Sequence, residues 1–446
     1  MGRLFGTDGI RGIANLDLKP ELAFKVGRAS SYILGRDRRG AIVIGKDTRY
    51  SGDMLEAALV AGIVSMGIDV IRLGVISTPA IAYLTRKHKA LAGIVISASH
   101  NPGEYNGIKI FNEDGLKLTD EMEEEIEELI LNDIEIDRRP IRDEIGSISL
   151  SDRGGEDYLD YLLSKIDLDL SGVKVAMDCG NGALSKLGPR AIERLGGEVF
   201  AINTRPDGMN INDNCGSTNP QMIQDLVLKT RADIGISFDG DGDRIIACDE
   251  LGNIVDGDHI LSICSSYFKQ EGRLKKDTVV GTIMTNMGLD DYLNENGMRI
   301  VKTQVGDRYI LEEMMKEGYN LGGEQSGHII ILDYNTTGDG LATGLQLLKV
   351  ARESNKKLSE LNNLMTNYPQ VLVNARVKEE LKYSYDQDME INKAIEDVEA
   401  RFEGRGRVII RPSGTEPLVR VMIESKGEGI EEIARELASF IESKIG

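Results

Sequence analysis

Three times along the chain, a run of β-branched and aliphatic residues is followed by further runs of the same kind, with helical patterns between them. The first set is AIVIG (41–45), the helix-like MLEAALVAGIVSMG, DVIRLGVI (69–76) and LAGIVIS (91–97). The second is VKVAMD (173–178), LGPRAIERLG, EVFAIN (198–203) and ADIGISF (232–238). The third, less clean, is TVVGTIM (278–284), MRIVKTQV (298–305) and YNLGGE (319–324). Parallel strands need crossover helices, so this order predicts three doubly wound βαβαβ domains of similar topology, with parallel sheets. The last part differs. RVIIRPSGTEPLVRVMIES (407–425) reads as two strands around a Pro/Gly loop, and IEEIARELASFI carries apolar residues at 430, 433, 437, 440 and 441, one face of a helix. The expected fold class is therefore α/β: three such domains (1–150, 151–253 and 254–366) and a smaller C-terminal α+β domain (367–446), around a central cleft. The acidic run DEMEEEIEELI (120–130) reads as a surface helix, with Met122, Ile126, Leu129 and Ile130 buried and the glutamates wet.

In open α/β sheets, ligands bind at the carboxyl ends of the strands. Each repeat ends its last strand on a polar loop: ISASHNP (96–102), FDGDGDR (238–244) and GEQSGH (323–328). Charge limits what these loops can bind, because Lys+Arg number 53 against Asp+Glu 73, a net charge of −20. That field repels nucleic acid and anionic membranes, so a phosphate-bearing ligand needs local donors. No stretch reaches the ~20 apolar residues of a membrane span, and the start, MGRLFGTDGIRG, has no hydrophobic signal region. A cytoplasmic location is the expectation. Cys179, Cys215, Cys248 and Cys264 lack C-x-x-C spacing and read as reduced thiols.

In DGDGDR, Asp239, Asp241 and Asp243 alternate with glycines, so three carboxylates can turn toward one hard divalent cation. An EF-hand is the competing reading, since Glu250 falls at the twelfth position. Arg244 stands where an EF-hand needs glycine, however, and the flanks ISF and RIIA read as strands. RPSGTEPLVR sets Arg411, Ser413, Gly414, Thr415 and Arg420 around a tight turn, a cradle suited to phosphate, with a solvated hairpin as the alternative. GEQSGH offers Glu324, Ser326 and His328 to a polyol. With a cation in the second loop and phosphate held in the fourth domain, Ser99 is placed to be a covalent phosphate carrier, with an ordinary turn serine before Asn-Pro as the alternative that the loop itself leaves open. His100 and Lys109, in the nearby NGIKIF stretch, are then candidates for proton transfer or charge stabilisation.

At these residues the chain resembles the α-D-phosphohexomutase superfamily. The resemblance runs the whole length through FGTDGIRG (5–12), KDTRYSG (46–52), SASHNP, NCGST (214–218), DGDGDR, VGDRY (305–309), GGEQSGH (322–328), LDYNTTGDG (332–340) and RPSGTEP (411–417). Gln325, NCGST and LDYNTTGDG are most similar to the branch acting on glucosamine phosphates. The resemblance implies four domains around a cleft and reversible interconversion of glucosamine 6-phosphate and glucosamine 1-phosphate, feeding UDP-N-acetylglucosamine for peptidoglycan precursors. It implies a phosphoserine at Ser99, one Mg²⁺ held by Ser99, Asp239, Asp241 and Asp243, and glucosamine 1,6-bisphosphate as intermediate and activator. Lys109, His328, Arg11 and Arg244 match residues that assist proton transfer or stabilise charge. Glu324 and Ser326 match sugar contacts, and Arg411, Ser413, Gly414, Thr415 and Arg420 match the distal phosphate site. The reaction so implied requires the bisphosphate to turn end over end, with a hinge expected near residues 364–370.

The runner-up substrate is a mannose or glucose phosphate. A sugar-phosphate sensor and a metal-dependent phosphatase are the readings from other classes. Relatives are often homodimers; the sequence sets neither the oligomeric state nor the kinase or bisphosphate donor that first loads Ser99.

Overall fold

The computed structural model describes residues 4–446 except Thr7, Asp37, Glu135, Gly414 and Thr415. It divides into two compact units, one of residues up to 285 together with 297–364, the other of 286–296 and 365–446.

The first unit opens with β1 (Ile10–Ile13), α1 (Pro20–Leu34), β2 (Ala41–Lys46), α2 (Gly52–Val64), β3 (Asp69–Val75), α3 (Thr78–Lys87), β4 (Ala92–Ile96), β5 (Tyr105–Asn112), α4 (Asp120–Leu131) and β6 (Ile148–Leu150). The second repeat follows as α5 (Gly154–Lys165), β7 (Lys174–Asp178), α6 (Leu187–Arg194), β8 (Glu198–Ile202), α7 (Gln221–Thr230), β9 (Ile234–Phe238), β10 (Ile245–Asp249) and β11 (Ile254–Val255). The third comprises α8 (Gly257–Gln270), β12 (Thr278–Thr282), α9 (Met287–Glu295), β13 (Arg299–Thr303), α10 (Asp307–Glu317), β14 (Leu321–Gly323), β15 (Ile329–Ile331), α11 (Gly340–Ser354) and α12 (Leu358–Asn362). Of these, α9 belongs to the second unit.

All three sheets share one strand order. It is β5-β4-β2-β3 in the first, β10-β9-β7-β8 in the second and β15-β14-β12-β13 in the third, with β1, β6 and β11 added at edges. The three leading strands of each repeat pair in parallel, as their crossover helices require. The fourth does not: β4–β5, β9–β10 and β14–β15 are antiparallel. The expectation of wholly parallel sheets is corrected here, and the reason is connection length. The linkers 97–104, 239–244 and 324–328 are far shorter than the dozen or so residues of a parallel crossover, so each polar loop is the turn of a hairpin.

Burial explains why the strands read as continuous apolar runs: all five residues of β4 and of β9 are buried. Helices α1 and α2 cross closely because a Cβ on Gly27 would sit 2.4 Å from the Leu59 carbonyl oxygen, and one on Gly62 2.3 Å from that of Phe24. Helix α4 buries Ile126 and Ile130 as its pattern predicts, but its glutamates are not uniformly wet. Glu127 is buried and its Oε1 accepts the backbone N–H groups of Leu4 and Phe5 at 2.6 and 2.5 Å, tying down the start of the chain. Among the described residues, no helix is long and apolar enough to cross a membrane.

The second unit adds to α9 the elements β16 (Gln370–Arg376), α13 (Met389–Arg401), β17 (Gly406–Pro412), β18 (Leu418–Ser425) and α14 (Ile430–Ile445). Its antiparallel sheet, ordered β16-β18-β17, packs Val419, Val421 and Ile423 against Ala434, Leu437 and Ile441 of α14. Asn286, the N-cap of α9, exchanges two 3.0 Å hydrogen bonds with the backbone of Tyr368, fastening that helix to the entry of β16.

Candidate active site

The β4–β5 turn presents Ser99 in a left-handed conformation (φ 51°), which is costly for any residue but glycine and persists only where surroundings enforce it. The enforcement is a closed circuit of hydrogen bonds. The Ser99 N–H donates to Ser97 Oγ (2.9 Å), Ser97 Oγ–H to Asp47 Oδ2 (2.6 Å), and Asp47 binds the guanidinium of Arg49 (2.9 Å). Arg49 closes the circuit by donating to the carbonyls of Ser99 (3.0 Å), Asn101 (2.7 Å), Tyr105 (3.0 Å) and Pro102. From the second repeat, Asn212 Nδ2 donates to the carbonyls of Ser99 and Asn101 at 2.9 and 3.1 Å.

So held, Ser99 is buried and its hydroxyl donates to Asp239 Oδ2 at 2.5 Å. Asp239, Asp241 and Asp243 fill the β9–β10 turn, each offering one carboxylate oxygen, with these atoms all within 4.8 Å of one another. Glycines are needed between them, since a Cβ on Gly240 would lie 2.7 Å from the Ser99 carbonyl oxygen. Burial, reinforced by Asp243 and Asp241, pushes the Asp239 carboxyl well above the usual carboxylate range. Asp241 Oδ1 and Asp243 Oδ1 are buried with no hydrogen-bond partner. Orphaned acceptors on crowded carboxylates are the donor set a hard divalent cation takes, so these residues fit one. The EF-hand alternative fails: the loop joins two strands, and Glu250 instead accepts the Ser359 hydroxyl at 2.6 Å.

Lys109, on β5, reaches Asp241 and Asp243 at 2.9 and 3.3 Å. Burial works against its charge, but Asp241, Asp8 and Asp243 outweigh it and hold the ammonium well above its ordinary range. A closed ring of three carboxylates, two ammonium groups and one imidazole results. Asp243 pairs with Lys109, Lys109 with Asp8 (3.0 Å), Asp8 with Lys117 (2.6 Å), Lys117 with Asp307 (2.6 Å), Asp307 with His328 (3.3 Å), and His328 faces Asp243 (3.8 Å). Burial penalises Asp8, yet Lys109, Lys117 and Arg11 keep its carboxyl well below the usual range. His328 is likewise raised above its ordinary value by Asp307 and Asp243 against the pull of burial. Arg11 pairs with Asp8, and the Arg244 N–H donates to Asp239 Oδ1 at 3.1 Å. The Nε atoms of both arginines are buried without partners, two donors waiting for an acceptor.

His100 differs. Burial first, and then Arg244 and Arg11, lower its pKa from the ordinary 6.5 to about 4, so at neutral pH its imidazole is uncharged; Nδ1 lies 3.5 Å from Ser99 Oγ. Between pH 4 and 6.5 the unfolded chain binds this proton and the folded chain does not, so falling pH favours unfolding over that window. His100→Asn should flatten the rise of melting temperature across that window; an unchanged profile would contradict the burial of a neutral ring.

The structure brings Ser99, His100, Lys109, Arg11, Arg244, His328 and the three aspartates together. Glu324 is half-buried and its Oε1 accepts the Gly306 N–H at 3.2 Å, whereas Ser326 is exposed to solvent. In the second unit Arg411 and Arg420 are directly opposed on β17 and β18. Like charges at paired positions repel unless an anion offsets them, and Glu416 Oε2 lies 3.8 Å from the Arg420 guanidinium. Ser413 beside them is buried and bonded through its N–H to the Leu418 carbonyl at 2.8 Å. Gly414 and Thr415 lie outside the described residues. Residue-by-residue reading missed Asp8, Asp47, Arg49, Lys117 and Asp307. Four of these sit inside the quoted motifs FGTDGIRG, KDTRYSG and VGDRY, a signal that was available; Lys117 lies in none.

Four models describing the phosphoglucomutase/phosphomannomutase α/β/α domains I, II and III and C-terminal domain match residues 2–137, 156–252, 256–368 and 372–440. The chain belongs to the phosphoglucomutase/phosphomannomutase family. Among curated members of this family, a phosphoglucosamine mutase of Alkaliphilus oremlandii is 56% identical over 448 residues, covering 100% of both chains. One of Finegoldia magna is 56% identical, covering 100% of this chain and 99% of the relative. Solved members share the fold at lower identity. A phosphoglucomutase/phosphomannomutase family protein of Burkholderia thailandensis superposes with TM-score 0.81 at 23% identity, covering 99% of this chain and 98% of the other. The N-acetylphosphoglucosamine mutase of Aspergillus fumigatus, in complex with GlcNAc-6P and magnesium, gives 0.69 at 18%, covering 99% and 95%.

Proposed function

We propose that this chain is a phosphoglucosamine mutase, interconverting glucosamine 6-phosphate and glucosamine 1-phosphate with Ser99 as the phosphoryl carrier. The observation that carries the reading is the Ser99 hydroxyl 2.5 Å from Asp239 within a triad of buried carboxylates. A sensor or a scaffold has no use for a hydroxyl held at such cost against that cluster. The choice of sugar follows the curated relatives, named phosphoglucosamine mutases at 53–56% identity over essentially the whole chain.

Mg²⁺ on Asp239, Asp241, Asp243 and the phosphorylated Ser99, when bound, neutralises charge on the transferring group. The chain's own residues do the rest. Phospho-Ser99 gives its phosphoryl group to the free hydroxyl of the sugar monophosphate; the O–P bond to Ser99 breaks, one to the sugar forms, and the sugar hydroxyl loses a proton. Lys109, kept cationic by its aspartates, cannot take that proton and instead stabilises the anionic oxygens. The uncharged His100 is able to accept it. His328, whose pKa Asp307 and Asp243 raise against burial and whose Nε2 accepts the Gly338 N–H at 3.1 Å, faces Asp243 through Nδ1. Arg11 and Arg244 offer their unpartnered Nε–H groups to phosphoryl oxygens. Glucosamine 1,6-bisphosphate is the resulting intermediate, and its other phosphate is returned to Ser99 to complete the cycle. Arg411, Ser413 and Arg420, with Gly414 and Thr415, bind a phosphate of the substrate, and Glu324 and Ser326 its hydroxyls. Four domains, 1–150, 151–253, 254–366 and 367–446, carry the phosphoserine, metal, sugar and phosphate loops respectively.

A coupled assay with Mg²⁺ and glucosamine, glucose and mannose 6-phosphates tests this. Isomerisation is expected with a kcat/KM preference for glucosamine 6-phosphate. A preference for mannose or glucose phosphate would overturn the substrate, and release of inorganic phosphate in place of isomerisation would overturn the reaction.

A further inference from the structure

We infer that the tripeptide Gly306-Asp307-Arg308, at the entry of α10, is a positioning clasp that fixes the Glu324–His328 loop of the third repeat against the first repeat. Each of its residues makes one part of the link. The Gly306 N–H donates to Glu324 Oε1 at 3.2 Å. Asp307 Oδ2 lies 3.3 Å from His328 Nε2 and 2.6 Å from Lys117 Nζ. Arg308 reaches back to the N-terminal turn of α4, with Nη1 2.5 Å from Asp120 Oδ1 and 3.2 Å from Glu123 Oε2, while its Nε is braced by Glu312 on its own helix at 2.9 Å. Gly306 thus holds Glu324. Asp307 lies beside His328, whose Nε2 accepts the Gly338 N–H at 3.1 Å, and is tied to Lys117 of the first repeat; Arg308 adds a second anchor to that repeat.

The order of charges gives the clasp its register. Along the first repeat the sequence runs cation at 117, then anions at 120 and 123; along the third it runs anion at 307, then cation at 308. A slip of α10 by one residue sets Arg308 on Lys117 and withdraws the counter-charge from Glu123. Buried ion pairs add little net stability against apolar packing, but specifying a register is their best-attested use. Lys117, Asp307, Arg308 and Glu123 are suited to it, because their side chains keep only 14–16% of their surface exposed and solvent screening is weak. The backbone agrees: Gly306 holds φ 135° and ψ 131°, a region open essentially to glycine alone, so the chain enters α10 in one fixed direction.

This inference rests on the reading of Glu324 and His328 as groups that serve the sugar, and its test separates the two. Arg308→Glu, Glu123→Arg and the double variant are assayed for isomerisation at pH 8, where Glu123, which burial and Asp120 push up to about 7, is mostly ionised in the unsubstituted protein. Neither residue is assigned to the catalytic or binding machinery. Each single change should lower kcat by about 10–100-fold, the cost of displacing reacting groups by about an ångström, with a smaller change in KM, and the double variant should recover to within about threefold of the parent. A rise in KM without a fall in kcat, or no recovery in a double variant that folds, overturns the clasp. Should either single variant fail to fold, the neutral pair Arg308→Gln and Glu123→Gln is measured instead: equal losses that do not add in the double variant support the clasp, and full activity in either overturns it. If the unsubstituted protein isomerises none of the sugars, the functional reading has failed by itself. The clasp is then judged by amide exchange over residues 321–331, faster in Arg308→Glu and restored in the charge swap; exchange that does not move overturns it.

Discussion

Ser99→Ala should lower mutase turnover by about three orders of magnitude or more, while leaving the melting temperature nearly unchanged. The two halves of the expectation have separate origins. Activity is lost because the hydroxyl that the proposed reaction phosphorylates, held 2.5 Å from Asp239 beside Asp241 and Asp243, is gone. Stability is kept because the turn is held through the Ser99 backbone: its N–H on Ser97 and its carbonyl on Arg49 and Asn212 survive the substitution. The left-handed φ costs alanine about what it costs serine, on the order of 1–2 kcal/mol in either protein, so it cancels in the comparison. Intact mass supplies a second measure: a phosphatase-sensitive fraction heavier by one phosphate in the parent and absent in the variant. Turnover within tenfold of the parent would remove Ser99 from the mechanism.

Much of this arrangement could be read before any coordinates, and the limits of that reading have physical causes. Strands buried on both faces give unbroken apolar runs, so β2, β4, β7, β9 and β12 and their order were legible, and with them the three turns that carry polar residues. The antiparallel return of each hairpin was not read, because an apolar run states burial and not direction. The metal loop declared itself through the spacing of Asp239, Asp241 and Asp243. The outer members of the charge ring did not, because Lys117 and Asp307 are 190 residues apart in the chain and 2.6 Å apart in space. A charged residue in a sequence is ordinarily a solvated one, and only its partner shows otherwise. Glu127 is the plain case: it sits in a run of glutamates that look alike, yet it alone caps the backbone of Leu4 and Phe5. Ser326, placed by motif in the sugar loop, stands exposed to solvent.

Arg49→Met should cost about 3–5 kcal/mol of folding stability, the usual penalty for removing one partner of a buried ion pair, and should lower kcat by about 100-fold at temperatures where the variant remains folded. Arg49 and Asp47 are a pair with no exposed side-chain surface at all. Methionine fills most of the volume but leaves the Asp47 carboxylate without its counter-charge and strips a donor from the carbonyls of Ser99, Asn101, Pro102 and Tyr105. With its carbonyl anchored only by Asn212, Ser99 can relax from its left-handed conformation, and the hydroxyl leaves the Asp239 oxygen. Arg49→Lys keeps the charge but has no planar fork to span four carbonyls, so it should fall between the two in both stability and kcat. Urea titrations at two pH values separate charge from packing. Burial already raises the Asp47 carboxyl above its ordinary range with Arg49 present, and losing Arg49 raises it further. The variant then takes up a proton at Asp47 as pH falls, so its deficit against the parent should be largest at pH 8 and shrink toward pH 5. A deficit below about 1 kcal/mol at pH 8, or one that does not change with pH, would mean that the guanidinium only fills space beneath the serine turn.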